Sequence, residues 1–167
     1  MSQIQSFAPI EDANATVLIL GSMPGLASLR AGEYYAHPKN IFWRIMGSLI
    51  TFDLAMPYTK RVQALKTARI AVWDVLHTCA REGSLDADID ADSQIPNDFQ
   101  SFFAHHSNIT HVFFNGAVAE KSYHKHVFSK ITVAGLTYMR LPSTSPANAS
   151  IPYERKLEAW RAICNAL

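Results

Sequence analysis

The stretch TVLILGSMPG, residues 16–25, predicts the fold class of this chain. Its first half, Thr16–Leu20, is a short run of β-branched and large aliphatic residues, which indicates a fully buried strand. The run leads directly into a turn of small residues, Gly21–Gly25, whose backbone amides are free to face a ligand. A continuous apolar strand that ends in such a turn is typical of a parallel sheet with helices on both faces.

Three further segments have the same character and are predicted as strands: Arg69–Val75, Thr110–Phe114 and Thr137–Leu141. Helices are predicted where one apolar face recurs at helical spacing: Asn40–Ile50, Pro57–Lys66, Pro96–His106 and Pro152–Ala166. The alternation predicts an α/β fold, a three-layer α/β/α sandwich with a central, mostly parallel four-stranded sheet. The 167 residues show no repeat and no compositional boundary, so we expect a single domain over residues 1–167, with the acidic segment Glu82–Pro96 as a surface loop.

The composition excludes several classes of protein. The formal net charge is only +1, so any contact with nucleic acid must come from local patches and backbone amides. The two cysteines, Cys79 and Cys164, fit neither a disulfide framework nor a four-cysteine iron–sulfur cluster built from this chain. There is no secretory apolar region and no run of membrane-spanning length, so we expect a cytoplasmic protein without membrane contact. We also expect a monomer that needs no metal and no cofactor.

The residues around and after the turn Gly21–Gly25 suit a ligand pocket. The turn lacks both the GxGxxG spacing and the lysine of a P-loop, so the nucleotide-cofactor motifs are excluded. Two adjacent tyrosines, Tyr34 and Tyr35, follow it, and Asn40 stands at the mouth of an apolar helix. A glycine turn, a stacking aromatic ring and a positioned carboxamide are what a pocket for a flat, polar heterocycle requires.

Ligands in open α/β sheets bind at the carboxyl ends of the strands, so the other strand ends belong to the same predicted site. These ends carry Asp74, Asn115-Gly116 and the segment Leu141–Pro146. They offer small and amide residues but no pair of carboxylates, which indicates a crevice poor in acid–base groups. Asp74 has no basic partner identifiable in the sequence, and we expect it to anchor a strand end rather than to act in catalysis.

Three ordered motifs resemble those of the uracil-DNA glycosylase superfamily. GSMPG (21–25) together with YYAHPKNIFW (34–43) resembles the first active-site motif of that superfamily. FFNG (113–116) is similar to the strand that ends in the base-reading asparagine, and LPSTSPAN (141–148) resembles the second motif, which contacts DNA around a flipped nucleotide. The likeness extends from Val17 to Trp160, which is nearly the whole chain.

Two departures narrow the resemblance to one branch. The polar residue that usually orients the attacking water in the first motif is replaced here by Met23, and the histidine or asparagine that usually opens the second motif is Leu141. This pair is similar to the hypoxanthine-DNA (deoxyinosine) glycosylase branch. In that branch the catalytic amide is the asparagine after the His-Pro pair, which corresponds to Asn40.

The resemblance implies roles for the residues that would touch the base. Asn40 would hold a water near the anomeric carbon. Asn115 would act with it in catalysis and read the Watson–Crick edge, because one carboxamide supplies both donors and acceptors. Tyr35 would stack on the extruded base. The backbone around three residues would face the base oxygen or the developing anion: Gly21, Ser22 and Met23.

Four further residues are predicted to contact DNA. Ser143, Thr144 and Ser145 are short hydroxyl residues between prolines, which suits them to grip phosphate oxygens on a stiff backbone. A turn held by local hydroxyl–backbone bonds is the alternative for these three. His37 would orient Asn40 or meet phosphate, with a structural role before Pro38 as its alternative.

The implied function is that of a monofunctional DNA-deoxyinosine glycosylase in base-excision repair. Such an enzyme hydrolyses the N-glycosidic bond of a flipped deaminated base, here hypoxanthine, and leaves an abasic site in damaged DNA. One alternative is a uracil-, xanthine- or mismatch-specific glycosylase on the same scaffold. Another is a non-catalytic module that binds damaged DNA, which Met23 and Leu141 favour.

Overall fold

The computed structural model describes residues 2–167, and its centre is a four-stranded parallel sheet. The strands are β1 (Gln3–Gln5), β2 (Val17–Gly21), β3 (Ile70–Asp74), β4 (Leu76–Ala80), β5 (Ile95–Pro96), β6 (His111–Asn115) and β7 (Thr137–Leu141). The central sheet has the order β3-β2-β6-β7, and each neighbouring pair is parallel. The predicted α/β fold is therefore confirmed, while Met1 of the predicted domain lies outside the described residues.

The helices between these strands supply the outer layers. They are α1 (Leu26–Ala31), α2 (Phe42–Ile50), α3 (Tyr58–Thr67), α4 (Phe99–His105), α5 (Ala117–His126), α6 (Tyr153–Trp160) and α7 (Ala162–Ala166). The helix predicted over Pro152–Ala166 is two helices in the structure, because α6 ends at Trp160 and α7 begins at Ala162. None of the helices within residues 2–167 is long and apolar enough to cross a membrane.

The central strand β2 is buried at all five positions because both faces of the sheet are covered. Successive side chains of a strand point to opposite faces, so β2 contributes to two separate cores. Leu18 and Leu20 pack in one hydrophobic cluster with phenylalanines of α4. Val17 and Ile19 pack in the other cluster, with side chains of α2, α6 and α7. These two clusters are the interfaces of the three-layer sandwich.

A second, antiparallel sheet lies beside the first and was not predicted. Its order is β1-β4-β5, and its strands have three, five and two residues, too short for a clear alternating pattern. Strand β5 belongs to the segment Glu82–Pro96, which the sequence predicts as a surface loop. The segment also contains two short 3-10 turns, Asp86–Asp88 and Ala91–Ser93. This ordered segment brings side chains to the site described next.

Candidate active site

A cavity of about 420 Å³ lies at the carboxyl ends of β2, β3 and β6, where the sequence predicts a ligand site. Every residue predicted for that site lines it: Gly21, Ser22, Met23, Tyr35, His37, Asn40, Asn115, Ser143, Thr144 and Ser145. Its volume falls within the range of small-molecule sites, roughly 300–1,000 Å³. The structure therefore brings the predicted residues together in one place, while their roles stay predictions.

The turn after β2 forms the floor of the cavity and leaves no room for a larger residue at its start. A Cβ atom added to Gly21 would lie 2.5 Å from Asp74 Oδ1 and 3.0 Å from the Tyr35 hydroxyl, so only glycine fits. The Ser22 hydroxyl donates a hydrogen bond of 2.7 Å to Asp86 Oδ1. The Met23 side chain is 7% exposed and packs in the core with Leu18 and Leu20, which leaves its backbone for the predicted contact.

The two adjacent tyrosines differ in their surroundings. Tyr34 is buried, and its hydroxyl donates to the Ala8 carbonyl at 2.9 Å, so it is a core residue. The Tyr35 ring stacks on Phe42 with centroids 4.1 Å apart, and the residue has a positive φ of 54°. Its buried hydroxyl has no close hydrogen-bond partner within the described residues, but the Asn115 carboxamide lies near enough to lower its pKa. Burial, and next the Asp74 charge, raise the pKa of this phenol, so it is neutral at neutral pH.

Asn40 is fixed by hydrogen bonds on both its backbone and its side chain. Its Oδ1 accepts from the Phe42 amide at 3.0 Å, and its own amide donates to the His37 carbonyl at 2.9 Å. One lone pair of Oδ1 is thereby engaged, and a carboxamide has a second lone pair and two N–H donors besides. The Ile41 amide donates to the Thr144 carbonyl at 3.2 Å, so the first and second motifs are joined directly.

Asn115 at the end of β6 is held by Thr144 of the second motif. Its Nδ2 donates to Thr144 Oγ1, and its Oδ1 accepts from the Thr144 amide, each at 2.9 Å. A primary carboxamide has two N–H donors and two lone pairs, so one of each remains, next to the Tyr35 hydroxyl whose pKa this carboxamide lowers. Thr144 is 1% exposed, and its hydroxyl is engaged with Asn115. Its placement therefore argues against the predicted phosphate contact and for a role in positioning Asn115.

The other predicted DNA contacts lie nearer the surface. Ser143 and Ser145 are half-buried, and their Oγ atoms accept from the amides of Ser145 and Ala147, each at 3.2 Å. These are the local bonds of the alternative interpretation, yet each hydroxyl keeps its proton to donate. His37 is exposed, and its Nδ1 accepts from the Lys39 amide at 3.1 Å. This bond does not involve the other ring nitrogen, Nε2.

Two carboxylates line the cavity, so the expectation of a crevice without a carboxylate pair is wrong. Asp74 ends β3, whereas Asp86 comes from the segment Glu82–Pro96 and reaches the cavity through its bond with Ser22. Burial, and next the Asp86 charge, raise the pKa of Asp74 to about 7. Burial raises the pKa of Asp86 as well, against the opposing effects of its Ser22 hydrogen bond and of Arg81.

Arg81 supplies a buried positive charge near these two acids, which the sequence did not indicate. It is 2% exposed, and its Nε and Nη2 donate to the carbonyls of Gly83 and Pro24 at 2.9 and 2.5 Å. Its positive charge lowers the pKa of both aspartates. Asp74 was visible in the sequence as a strand end. By contrast, no local pattern indicates that Asp86 or Arg81 folds back against the turn.

The fold and the cavity define an α/β protein with a candidate ligand site at the carboxyl ends of its parallel strands. Residues 8–165 match the Uracil DNA glycosylase superfamily. The chain belongs to this superfamily, as its three motifs predict.

Relatives and a solved structure agree with this assignment. The chain is 44% identical to a hypoxanthine DNA glycosylase of Methanosarcina barkeri over 113 residues. This alignment covers 67% of this chain and 70% of the relative. It is 36% identical to a hypoxanthine DNA glycosylase of Methanosarcina acetivorans over 95% of this chain and 96% of the relative. A solution NMR structure from M. acetivorans, of a protein proposed to be a uracil DNA glycosylase, superimposes with a TM-score of 0.80 at 34% identity, covering 97% of this chain and 96% of that one.

Proposed function

We propose that this protein is a DNA glycosylase that hydrolyses the N-glycosidic bond of hypoxanthine in deoxyinosine-containing DNA and leaves an abasic site. The observation that carries the proposal is that Tyr35 and Asn40, from the first motif, converge on one cavity with Asn115 from a distant part of the chain. The names of two relatives, at 44% and 36% identity, support hypoxanthine as the base.

The substrate base must leave the duplex before the bond can be reached. Flipping a nucleotide costs on the order of a few kcal/mol, and least where pairing is already weak, as for a deaminated base. The exposed His37 and the half-buried Ser143 and Ser145 lie along the cavity wall and are available to hold the flanking phosphates. Damaged DNA is thus the proposed partner.

Recognition of the flipped base falls to Tyr35 and Asn115. One face of the Tyr35 ring is covered by Phe42, and the residue lines the cavity, so the other face is the one proposed to stack on a flat base. Asn115 has one N–H and one lone pair left after its bonds to Thr144. That remaining donor and acceptor suit the lactam edge of hypoxanthine, which itself presents an N–H and a carbonyl oxygen.

Bond cleavage develops positive charge on the sugar and negative charge on the departing base. Asn40 is a neutral carboxamide and therefore cannot act as a strong base. It acts by holding a water close to the anomeric carbon, and its bond to the Phe42 amide fixes the side chain for that task. An oxocarbenium-like centre reacts readily with such a water.

The proposal also includes a monomeric, cytoplasmic enzyme that needs no metal or cofactor. Within residues 2–167 no group of three histidine, cysteine or acidic side chains is placed to hold a metal ion. Metal independence is checked by measuring excision in the presence of EDTA, where full activity is expected. The monomeric state is checked by sedimentation of the purified protein.

The deciding experiment is a panel of duplex oligonucleotides that carry hypoxanthine, uracil, xanthine or a G·T mismatch, scored for abasic sites. Release of hypoxanthine in preference to the other bases is the expected result. Preferential release of uracil, xanthine or mismatched thymine would assign a different specificity on the same scaffold. Binding of damaged DNA without release of any base would show a non-catalytic module.

A further inference from the structure

The Asp74 carboxyl is a buried acid in the cavity that the reaction described above does not use. Asp74 is 4% exposed, it lines the cavity, and its Oδ2 has no hydrogen-bond partner within residues 2–167. Buried polar atoms are satisfied in the great majority of cases, and each exception needs an explanation. A polar atom of a ligand is the explanation that fits an exception inside a ligand cavity.

The other oxygen of this carboxyl lies beside Gly21 and near the Tyr35 hydroxyl, and all three residues line the cavity. A Cβ at Gly21 would meet both Asp74 Oδ1 and the Tyr35 hydroxyl, so these two groups converge on the same point beside the turn. Tyr35 is the ring on which the flipped base is proposed to stack. A base stacked there brings its edge within reach of the Asp74 carboxyl.

The charges around Asp74 favour a protonated carboxyl. Four ionisable groups act on it from the packed elements: Asp86 from the segment 82–96, Arg81 after β4, and Tyr34 and Tyr35 from the first motif. Burial and the Asp86 charge outweigh Arg81, and they raise the pKa of Asp74 to about 7. General acids are most effective when their pKa lies near the working pH.

We propose that Asp74 is a further catalytic residue, a general acid that hydrogen-bonds N7 of the flipped purine and protonates it as the base departs. This inference rests on the proposed function. The C1′–N9 bond breaks, its electron pair goes to the base, and the Asp74 proton moves to N7, so that neutral hypoxanthine leaves. The water held by Asn40 adds to C1′ and releases one proton to solvent, from which Asp74 is protonated again.

This acid would also favour a purine over a pyrimidine. A purine presents N7 as a proton acceptor on the edge away from its Watson–Crick face, whereas uracil has no ring nitrogen there. Asn115 on one edge and Asp74 on the other would then hold the two sides of the same base. Because the two residues contact opposite edges, the Watson–Crick contacts stay unchanged while N7 is protonated.

The test compares wild type, Asp74→Asn and the control Asp88→Asn under single-turnover conditions on deoxyinosine and on 7-deaza-deoxyinosine. Asp88 is an exposed acid on the same segment as Asp86 and does not line the cavity. Asp74→Asn should slow release of hypoxanthine by about 10²-fold, the usual range for a lost general acid being roughly 10²–10⁴. Removal of N7 should slow the wild type at least ten-fold more than it slows Asp74→Asn. Asp88→Asn should match the wild type on both substrates.

A pH profile separates an acid from a merely structural residue. Since only the protonated form acts, the wild-type rate on deoxyinosine should fall about ten-fold from pH 6 to pH 8, and the Asp74→Asn rate should stay flat. The wild type could release hypoxanthine with the same pH profile as Asp74→Asn, and be slowed equally by removal of N7 (the N7 penalty). That result would overturn the role of Asp74 but not the proposed function. A wild type that releases no hypoxanthine would overturn both this role and the proposed function. The wild-type N7 penalty and pH profile remain measurable if Asp74→Asn does not fold, and a small penalty with a flat profile would also refute the role.

Discussion

Asn40 has two tasks at the scale of the single residue, since its oxygen holds the start of α2 and its remaining groups face the cavity. Replacing it with alanine removes the water-holding group. By analogy with the loss of one electrostatic donor, Asn40→Ala should lower the single-turnover rate by about 10²–10³-fold. Its loss of stability should stay near that of a missing cap, about 1 kcal/mol. Asn108→Ala, an exposed carboxamide that does not line the cavity, is the matched control. A near-wild-type rate in Asn40→Ala would remove the residue from the reaction.

Tyr35 contributes a ring, and its hydroxyl lies near the Asn115 carboxamide without a close hydrogen bond to any residue within 2–167. Stacking of a base on an aromatic side chain is worth about 1–3 kcal/mol. Tyr35→Ala should therefore weaken excision by roughly ten-fold to a hundred-fold, whereas Tyr35→Phe keeps the ring and should stay within about three-fold of the wild type. Single-turnover rates of the two variants check this. Equal losses in both would place the contribution in the hydroxyl instead of the ring.

At the scale of elements, the second-motif loop is attached to β6 through Thr144. Thr144→Val removes the oxygen to which Asn115 Nδ2 donates and leaves that half-buried N–H without its protein partner, at a cost of up to about 1–3 kcal/mol. We expect a lower melting temperature and slower excision, because Asn115 loses its orientation. Thr144→Ser keeps the hydroxyl and should restore most of both. If Thr144→Val excised hypoxanthine at the wild-type rate, the loop would not position Asn115.

The strands were predictable because each is a local apolar pattern. Thr137–Leu141 is found with the predicted bounds, and Val17–Gly21 is displaced by one residue, since Thr16 precedes the first paired position. The six-residue helix α1 could not be predicted from the sequence, because it is shorter than two turns and has no side-chain cap. Short segments without periodicity cannot be assigned from local sequence alone.

The candidate site was predictable as far as its groups belong to motifs. Asn40 lies just before the start of helix α2, and Asn115 lies at the end of strand β6. In a parallel α/β sheet, helix starts and strand ends lie at the same edge, so the convergence of these two residues could be predicted. Asp86 reaches the cavity only through a bond to Ser22, 64 residues earlier in the chain. Arg81 likewise binds Pro24 across 57 residues. Contacts of this kind depend on how the segment 82–96 packs, and no local sequence pattern indicates them.

At the scale of the whole molecule, the buried carboxyl of Asp74 links the site to the stability of the fold. The folded protein holds the pKa of Asp74 at about 7, against 3.8 in an unperturbed chain. Between these two values the unfolded chain has lost a proton that the folded protein keeps, so the unfolding free energy falls as the pH rises. Above pH 7 both states are ionised, and this contribution becomes constant.

Asp74→Asn should therefore be more stable than the wild type at pH 8 and no more stable at pH 4. Each pKa unit corresponds to about 1.4 kcal/mol, so the gain at pH 8 has an upper limit of about 4 kcal/mol. Asparagine stays neutral throughout, and it therefore lacks the cost of a buried negative charge. Melting temperatures of the two proteins at pH 4, 6 and 8, with Asp88→Asn for comparison, provide the measurement. If Asp74→Asn melted below the wild type at pH 8 but not at pH 4, the ionised carboxylate would be the stabilising form. That result would contradict a protonated Asp74 near neutrality, because only a folded-state pKa below that of the unfolded chain produces it.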